Sequence, residues 1–313
     1  MAFNWQEFNT VWRDASDFSL EQKAIDNIVR HRKEFGDELF FDRIWKSIGL
    51  TQPSKKTYPP RSNQDLRSLW TKVVQSPAPD EQKLALLYYI LLDSRQTLKT
   101  SPADTFIRKT HLPQKYELLI LGLWELDHAQ FARALEHLTD PTLTLPFADQ
   151  ILVALLKHPK SDPSLATAFY ICVSPPLEDP KALDAYSDLL SSKDPIQAVY
   201  LARRQDQTNH KRLLDKLVVK ILQEKTPNRR AEQATLLVGM ALTKQEEEWL
   251  EQCLLSGPAS KLPGASDTVL VRRIATGKLS AEDGEAIGRL KGEKIDGVNW
   301  ENVRQSIQDA VPT

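Results

Sequence analysis

The segment from Leu112 to Leu156 constrains the fold more than any other part of the sequence. Its apolar residues recur at the three- and four-residue spacing of amphipathic helices, with short breaks between the runs. The two clearest stripes are Phe131, Ala134, Leu135 and Leu138, then Ile151, Leu152, Leu155 and Leu156. The pattern predicts a helical hairpin followed by a third helix. No set of catalytic residues is embedded in it, which favours a scaffold.

The rest of the chain carries the same helical pattern, and a further apolar stripe is formed by Leu214, Leu217, Val218 and Ile221. Convincing alternation of apolar and polar residues, the signal of a strand, is nearly absent. Glycine accounts for only 11 of 313 residues, and a low glycine content favours helix. From Leu84 to Leu92 the sequence is apolar nearly all round, which is typical of a buried helix. We therefore predict an all-α protein.

Prolines divide the middle of the chain into segments of ordinary helix length. Each of three Asp-Pro pairs offers an aspartate as the cap and a proline at the first helical position: Asp162-Pro163, Asp179-Pro180 and Asp194-Pro195. Short helices separated by tight breaks, each antiparallel to the last, predict an irregular α-solenoid of antiparallel helix hairpins. No repeat of fixed length aligns, which argues against a regular repeat family.

Composition breaks predict four segments along the chain. A proline-rich break follows an N-terminal helical region, and seven of the 11 glycines lie at or after Gly257. The predicted segments are an N-terminal helical region over 1–52, a loop over 53–63, the helical solenoid over 64–255, and a linker with short helices over 256–313. The short helices of the last segment are expected at 267–276, 280–290 and 300–310.

The sequence carries no pattern of a cofactor, metal or enzyme site. Phosphate-binding glycine loops are missing, and two distant cysteines without a histidine cluster do not build a zinc site. Cys172 and Cys253 lie in apolar helical stretches and are expected to be buried thiols. Direct membrane insertion is not expected, since the longest apolar run is too short to span a bilayer. We therefore expect no catalytic activity, no cofactor and no metal.

Several segments in a fixed order resemble a known family. They are Tyr58-Pro59-Pro60, Lys83 through Asp93, Leu112-Pro113 followed by Gly122 through Asp127, and Ala134-Leu135 through Phe147 and Ile151-Leu152. Over about residues 35–255 the chain resembles the ELYS-type nuclear pore complex assembly domain in its short fungal form. The resemblance implies a non-enzymatic α-helical subunit of the Y-shaped outer-ring nucleoporin complex, located at nuclear pores in the nuclear envelope.

The resemblance also implies partners. The first is the long-arm propeller-plus-solenoid subunit of the Y complex, and a second candidate is the small propeller subunit attached to that arm. Larger animal members carry AT-hooks that bind DNA. No Arg-Gly-Arg core of that kind occurs in this sequence, so minor-groove binding is not implied.

A basic stretch over residues 203–230 supports an alternative function, a generic helical-repeat adaptor or a protein that binds nucleic acid or chromatin. It holds nine Lys and Arg against three acidic residues, although the whole chain is balanced at 41 basic and 42 acidic residues. Arg212, Lys216 and Lys220 share one helix face. This row is either a solvated outer face or a docking patch for an acidic partner or nucleic acid.

The two ends of the chain supply further contact candidates. Trp5 and Trp12 crowd one side of the first helix, and Trp300, Val303 and Ile307 form a stripe near the C-terminus. Such stripes either fold back on the body of the protein or act as helix-in-groove ligands of another nucleoporin.

Two residues within the resemblance invite a closer prediction. Trp124 is either an exposed anchor or a core residue, and its large apolar area favours the core. Asp127 ends the segment that begins at Gly122, and it is expected to cap the helix that follows it.

Overall fold

The computed structural model describes residues 3–12, 20, 22–93 and 102–278, apart from the side chains of residues 227 and 228. These residues form sixteen α-helices and no β-strand, which confirms the predicted all-α class. The chain divides into two compact units, residues 1–183 and 184–313. The four-segment division expected from composition stays a prediction.

The first unit is built from eleven helices, the last of which crosses its boundary. They are α1 Phe8–Val11, α2 Gln22–Glu34, α3 Phe40–Ser47, α4 Asn63–Val74, α5 Asp80–Asp93, α6 Pro102–Thr110, α7 Gln114–Asp127, α8 Phe131–Leu138, α9 Ala148–Lys157, α10 Pro163–Val173 and α11 Pro180–Lys193. A short 3-10 helix, Ser54–Lys56, lies between α3 and α4. The predicted helical hairpin and third helix correspond to α7, α8 and α9.

Helix α5 forms the centre of the first unit. All residues from Leu84 to Asp93 are buried, and α5 packs against α3, α4, α6 and α7. A helix that is apolar nearly all round has no face to offer to water, so neighbours must cover every side. The predicted stripe of α8 is also buried and packs against α7.

The three Asp-Pro pairs cap their helices as predicted. The backbone N–H of Ser164 donates to Asp162 over 2.8 Å at the start of α10. The N–H of Lys181 donates to Asp179 over 2.9 Å at the start of α11. A third cap, Asp194, accepts the N–H of the second residue after it over 3.1 Å. These carboxylates satisfy donors that a helix N-terminus leaves free.

The second unit packs five further helices around one apolar cluster. They are α12 Pro195–Arg203, α13 Gln207–Leu222, α14 Pro227–Gly239, α15 Lys244–Leu255 and α16 Ala265–Thr276. Helix α13 contacts α12, α14 and α15, and α16 contacts α14 and α15. The stripe predicted on α13 is fully inside the cluster: Leu214, Leu217, Val218 and Ile221.

Three further predictions meet the structure here. Trp124 is buried, as expected of a core residue, and so is Cys253. Cys172 is exposed, so the prediction of two buried thiols is wrong for this residue: α10 turns Ala166 and Phe169 inward and the opposite face outward.

The helices expected at 280–290 and 300–310 lie outside the described residues. Among the helices that are described, none has the length and apolar character needed to cross a bilayer.

A glycine sets the distance between α7 and α8. A Cβ atom placed on Gly122 would lie 2.5 Å from Leu138 Cγ and 3.2 Å from the carbonyl oxygen of Ala134. Leu138 is buried and has no room to move aside. The hairpin therefore depends on the absence of a side chain at position 122.

We expect Gly122→Val to lower the free energy of unfolding by about 2 kcal/mol, because the added methyl groups overpack the α7–α8 contact. The control is Gly239→Ala at the end of α14, where a new Cβ would meet nothing within 4 Å. The control should leave stability unchanged or slightly higher, since alanine favours helix. Thermal and urea unfolding measure both changes. Equal stability of the two variants would contradict the close approach.

Candidate functional site

Asp127 joins three helices of the first unit through one buried carboxylate. The backbone N–H groups of Phe40 and Phe41, at the start of α3, donate to its two oxygens over 2.8 and 2.9 Å. The Tyr89 hydroxyl of α5 donates to it over 2.7 Å. The prediction that Asp127 caps the helix after it is therefore wrong. Asp127 ends α7 and caps α3, because the fold brings that distant N-terminus directly against it.

A second buried aspartate pairs with an arginine close by. Both Asp42 oxygens accept from the guanidinium of Arg32, over 2.8 and 3.1 Å. Asp42 also accepts from the backbone N–H of Leu39 and from the Ser54 hydroxyl. The remaining arginine donor reaches the carbonyl oxygen of Tyr58 at 2.9 Å. A buried ion pair is tolerated when additional hydrogen bonds satisfy its remaining polar atoms, as here.

Asp93 is a third buried aspartate of the first unit. Together with Asp42, Asp127 and their donors it forms what we call the buried network. The Tyr58 hydroxyl and the Trp124 indole N–H donate to its two oxygens over 2.7 and 2.8 Å. The Tyr58 ring stacks on Phe41 with centroids 3.7 Å apart. Burial raises the pKa of Asp93, and the nearby His128, with Nε2 3.6 Å away, opposes that rise. The network thus links α2, α3, the turn after α3, α5 and α7.

A small cavity adjoins the network. Its volume is about 170 Å³, and His31, Asp93 and His128 contribute to its lining. Burial, together with the neighbouring His128, lowers the pKa of His31 to about 4. His31 is therefore neutral at physiological pH. Beside it, Asp93 accepts the two hydrogen bonds described above, and His128 Nδ1 lies 2.8 Å from the carbonyl oxygen of Trp124.

The second unit has a comparable polar anchor in Glu246. Its carboxylate is 1% exposed and accepts two hydrogen bonds from Arg203, at 2.7 and 2.8 Å. It also accepts the backbone N–H of Thr243 and contacts His210 Nε2 at 2.9 Å. The hydrogen bonds from Arg203, opposed by burial, hold the pKa of Glu246 down at about 2. This carboxylate links α12, α13 and α15.

The basic row of α13 is engaged by α11 within the second unit. Arg212 Nη1 lies 2.6 Å from Asp184 Oδ1, and Lys216 Nζ lies 2.9 Å from Asp188 Oδ2. Lys220 donates to the Asp188 carbonyl oxygen. Each of these cations therefore already has an acceptor on the neighbouring helix. The role of the row as a docking patch stays a prediction, with less uncompensated charge than the sequence alone indicates.

The N-terminal tryptophans lie against the body of the first unit. Trp12 is 1% exposed and stacks on Phe8 with centroids 5.1 Å apart. The carbonyl oxygen of Trp5 accepts the indole N–H of Trp70 on α4 over 3.4 Å. These contacts agree with the alternative in which the N-terminal stripe folds back on the body of the protein. The other stripe, Trp300, Val303 and Ile307, lies outside the described residues.

Comparison with known proteins adds a separate observation. A family model described as ELYS, nuclear pore complex assembly, matches residues 38–257, more than half of the chain. A protein named ely5 from Schizosaccharomyces pombe is 31% identical over 173 residues, which cover 55% of this chain and 55% of that protein. The chain thus spans about half the length of this curated relative. The matched residues include Asp42, Asp93, Asp127 and Glu246.

The pH dependence of stability tests the state of Asp127. Burial raises the pKa of Asp127 to about 7, although three donors oppose the rise. A carboxyl whose pKa is higher in the folded state adds stability below about pH 4 and loses it as the pH rises through about 7. Asp127→Asn stays neutral throughout. Relative to wild type, we expect its free energy of unfolding to gain about 4 kcal/mol from pH 4 to pH 8.

Urea unfolding of both proteins at several pH values measures this difference. His31 produces a pH slope of the opposite sign, because its pKa is lowered, but it is present in both proteins and cancels. A constant difference between the variant and wild type across this range would mean that Asp127 is ionised throughout, and would contradict the prediction.

At the basic row of α13 we expect a second, smaller effect on stability. Asp188→Asn removes the negative charge that faces Lys216, and both side chains are partly exposed, at 44% and 34%. We expect a loss of at most about 1 kcal/mol at low salt, shrinking at high salt. Glu232→Gln on α14, an exposed acidic position, is the control. Thermal unfolding at two salt concentrations that gave identical curves for both variants would argue against the α11–α13 contact.

Proposed function

We infer the function of this chain from its family, because it belongs to the ELYS family of nuclear pore complex assembly. We propose that it is a structural subunit of the nuclear pore that binds other nucleoporins. The family match over residues 38–257 carries this proposal. More specifically, we propose that it is a subunit of the Y-shaped outer-ring complex. Its place of action is then the nuclear pore in the nuclear envelope.

The chemistry of the described residues supports a structural role. The most deeply buried acids, Asp42, Asp93, Asp127 and Glu246, are held by backbone N–H groups, arginines and aromatic donors. They serve as helix caps and links between helices. A catalytic carboxylate instead faces a site that a substrate can reach. We therefore propose that the chain acts through shape and surface and not through turnover.

The proposed partners are other nucleoporins of the Y complex. The long-arm propeller-plus-solenoid subunit is the first candidate, and the small propeller subunit attached to it is the second. Each unit leaves exposed helix faces, and faces of this kind are available to such partners.

Nucleic-acid or chromatin binding through residues 203–230 remains the second candidate function. The stretch still holds exposed cations such as Arg204, Lys225 and Arg229. Against it, Arg212, Lys216 and Lys220 have acceptors on α11, so the phosphate groups of a ligand would compete with an existing interaction.

Purification of the tagged full-length chain from its own cells distinguishes the two functions. We expect Y-complex subunits to remain bound in about 0.5 M NaCl, because packed protein interfaces depend less on salt than phosphate contacts do. The triple variant Arg212→Glu, Lys216→Glu, Lys220→Glu should retain these partners if it keeps the wild-type melting temperature. A nucleic-acid association that high salt removes, with no nucleoporin recovered, would contradict the proposal.

A further inference from the structure

A groove of about 550 Å³ runs across the first unit between the end of α2 and the outer face of α9. One wall comes from residues 34–43, which form the α2–α3 turn and the start of α3. The opposite wall comes from α9 and the start of α11, with Gln150, Val153 and Lys157 spaced along one helix face. Phe40, whose backbone N–H donates to Asp127, also lines the groove.

Two half-buried apolar side chains, Phe35 and Val153, line this groove. Phe35 is half-buried, and its ring packs against Phe40, Phe131 and His158 at centroid distances of 6.4, 6.3 and 4.8 Å. Val153 is half-buried on the opposite wall. A rigid aromatic ring at the bottom of a groove loses little conformational entropy when a partner covers it, which is typical of binding hot spots.

The acidic groups around the groove are already engaged. Glu34 Oε2 lies 3.3 Å from His158 Nε2 and 3.4 Å from Lys160 Nζ. Glu38 Oε2 lies 2.7 Å from Arg43 Nη2. Asp179 is the cap of α11 and accepts a backbone N–H. Glu34 and Glu38 are thus paired with cationic groups, whereas Asp179 retains its negative charge.

Two lysines that line the groove have no ion-pair partner in the described part of the chain, unlike Glu34 and Glu38. Lys157 and Lys181 are exposed, and neither ammonium group pairs with a carboxylate among the residues that the structure describes. Two exposed lysines thus face one carboxylate, Asp179, that pairs with no cation among the described residues, and the charge left in the groove is positive. Complementary charge on a partner fixes its register and excludes partners of the wrong sign.

We propose that this groove binds a short segment of a partner protein in which an apolar side chain is flanked by carboxylates. The apolar side chain covers Phe35 and Val153, and the carboxylates pair with Lys157 and Lys181. The inference goes beyond the proposed function and shares with it only the expectation of a protein partner. A nucleic acid fits less well, because two exposed lysines offer few contacts to phosphate groups.

The first experiment identifies the occupant by cross-linking in the source cells. The photoreactive residue p-benzoylphenylalanine replaces Gln150 at the rim of the groove in the full-length chain. The control carries it at Glu136, an exposed position on α8 outside the groove. We expect a cross-link specific to position 150, joined to a peptide that contains an apolar residue within a net-negative segment. A basic peptide, a nucleic-acid adduct or no specific product would overturn the proposal.

The second experiment measures binding of that cross-linked segment as a synthetic peptide. We expect Lys157→Glu with Lys181→Glu to weaken its binding at least tenfold. Lys23→Glu with Lys115→Glu, a pair of exposed lysines outside the groove, should bind like wild type. Unchanged melting temperatures show that the variants fold. Equal affinity of both double variants would overturn the proposed charge contact.

The outcome separates this inference from the proposed function. If nucleoporins co-purify while position 150 yields no specific product, the groove proposal fails and the function stands. If position 150 captures an acidic segment of a protein unrelated to the nuclear pore, the groove proposal stands and the function loses support.

Discussion

The first unit depends on giving its most deeply buried carboxylates their hydrogen-bond donors. Asp42, Asp93 and Asp127 are all buried, and an unpaired ion in such a place would cost several kcal/mol. The donors come from separate parts of the chain, so satisfying each aspartate fixes where helices meet. Apolar packing around α5 supplies most of the stability, but it is less selective about register. The carboxylates select one arrangement of α2, α3, α5 and α7.

The same solution occurs in the second unit with Glu246, where Arg203 and the start of α15 share one carboxylate. In both units the strongest polar interactions join groups inside the fold. What remains for other molecules is surface, such as the groove beside Phe35 and the face of α13. This distribution of polar groups fits a family concerned with nuclear pore complex assembly.

Local features of the fold could be predicted from the sequence, whereas contacts between distant segments could not. The apolar stripes of α8 and α13 and the Asp-Pro caps depend on residues within a few positions of each other, and the structure confirms them. Asp127 was assigned to the wrong helix because its true partners lie 86 and 87 positions away. The row at Arg212 looked uncompensated for the same reason, since Asp184 and Asp188 precede it by 28 positions. Exposure of Cys172 depends on how α10 is rotated against its neighbours, which its uniformly apolar sequence does not specify.

Hydrogen exchange at the backbone amides of Phe40 and Phe41 tests the central claim most directly. First-turn amides of a helix normally exchange quickly, because they have no partner within the helix. If the buried carboxylate of Asp127 holds the start of α3, these two amides should exchange as slowly as the core amides of α5, through global unfolding of the unit. Exchange at the rate of exposed first-turn amides, such as those of α4, would show that the aspartate does not anchor α3 and would contradict the account.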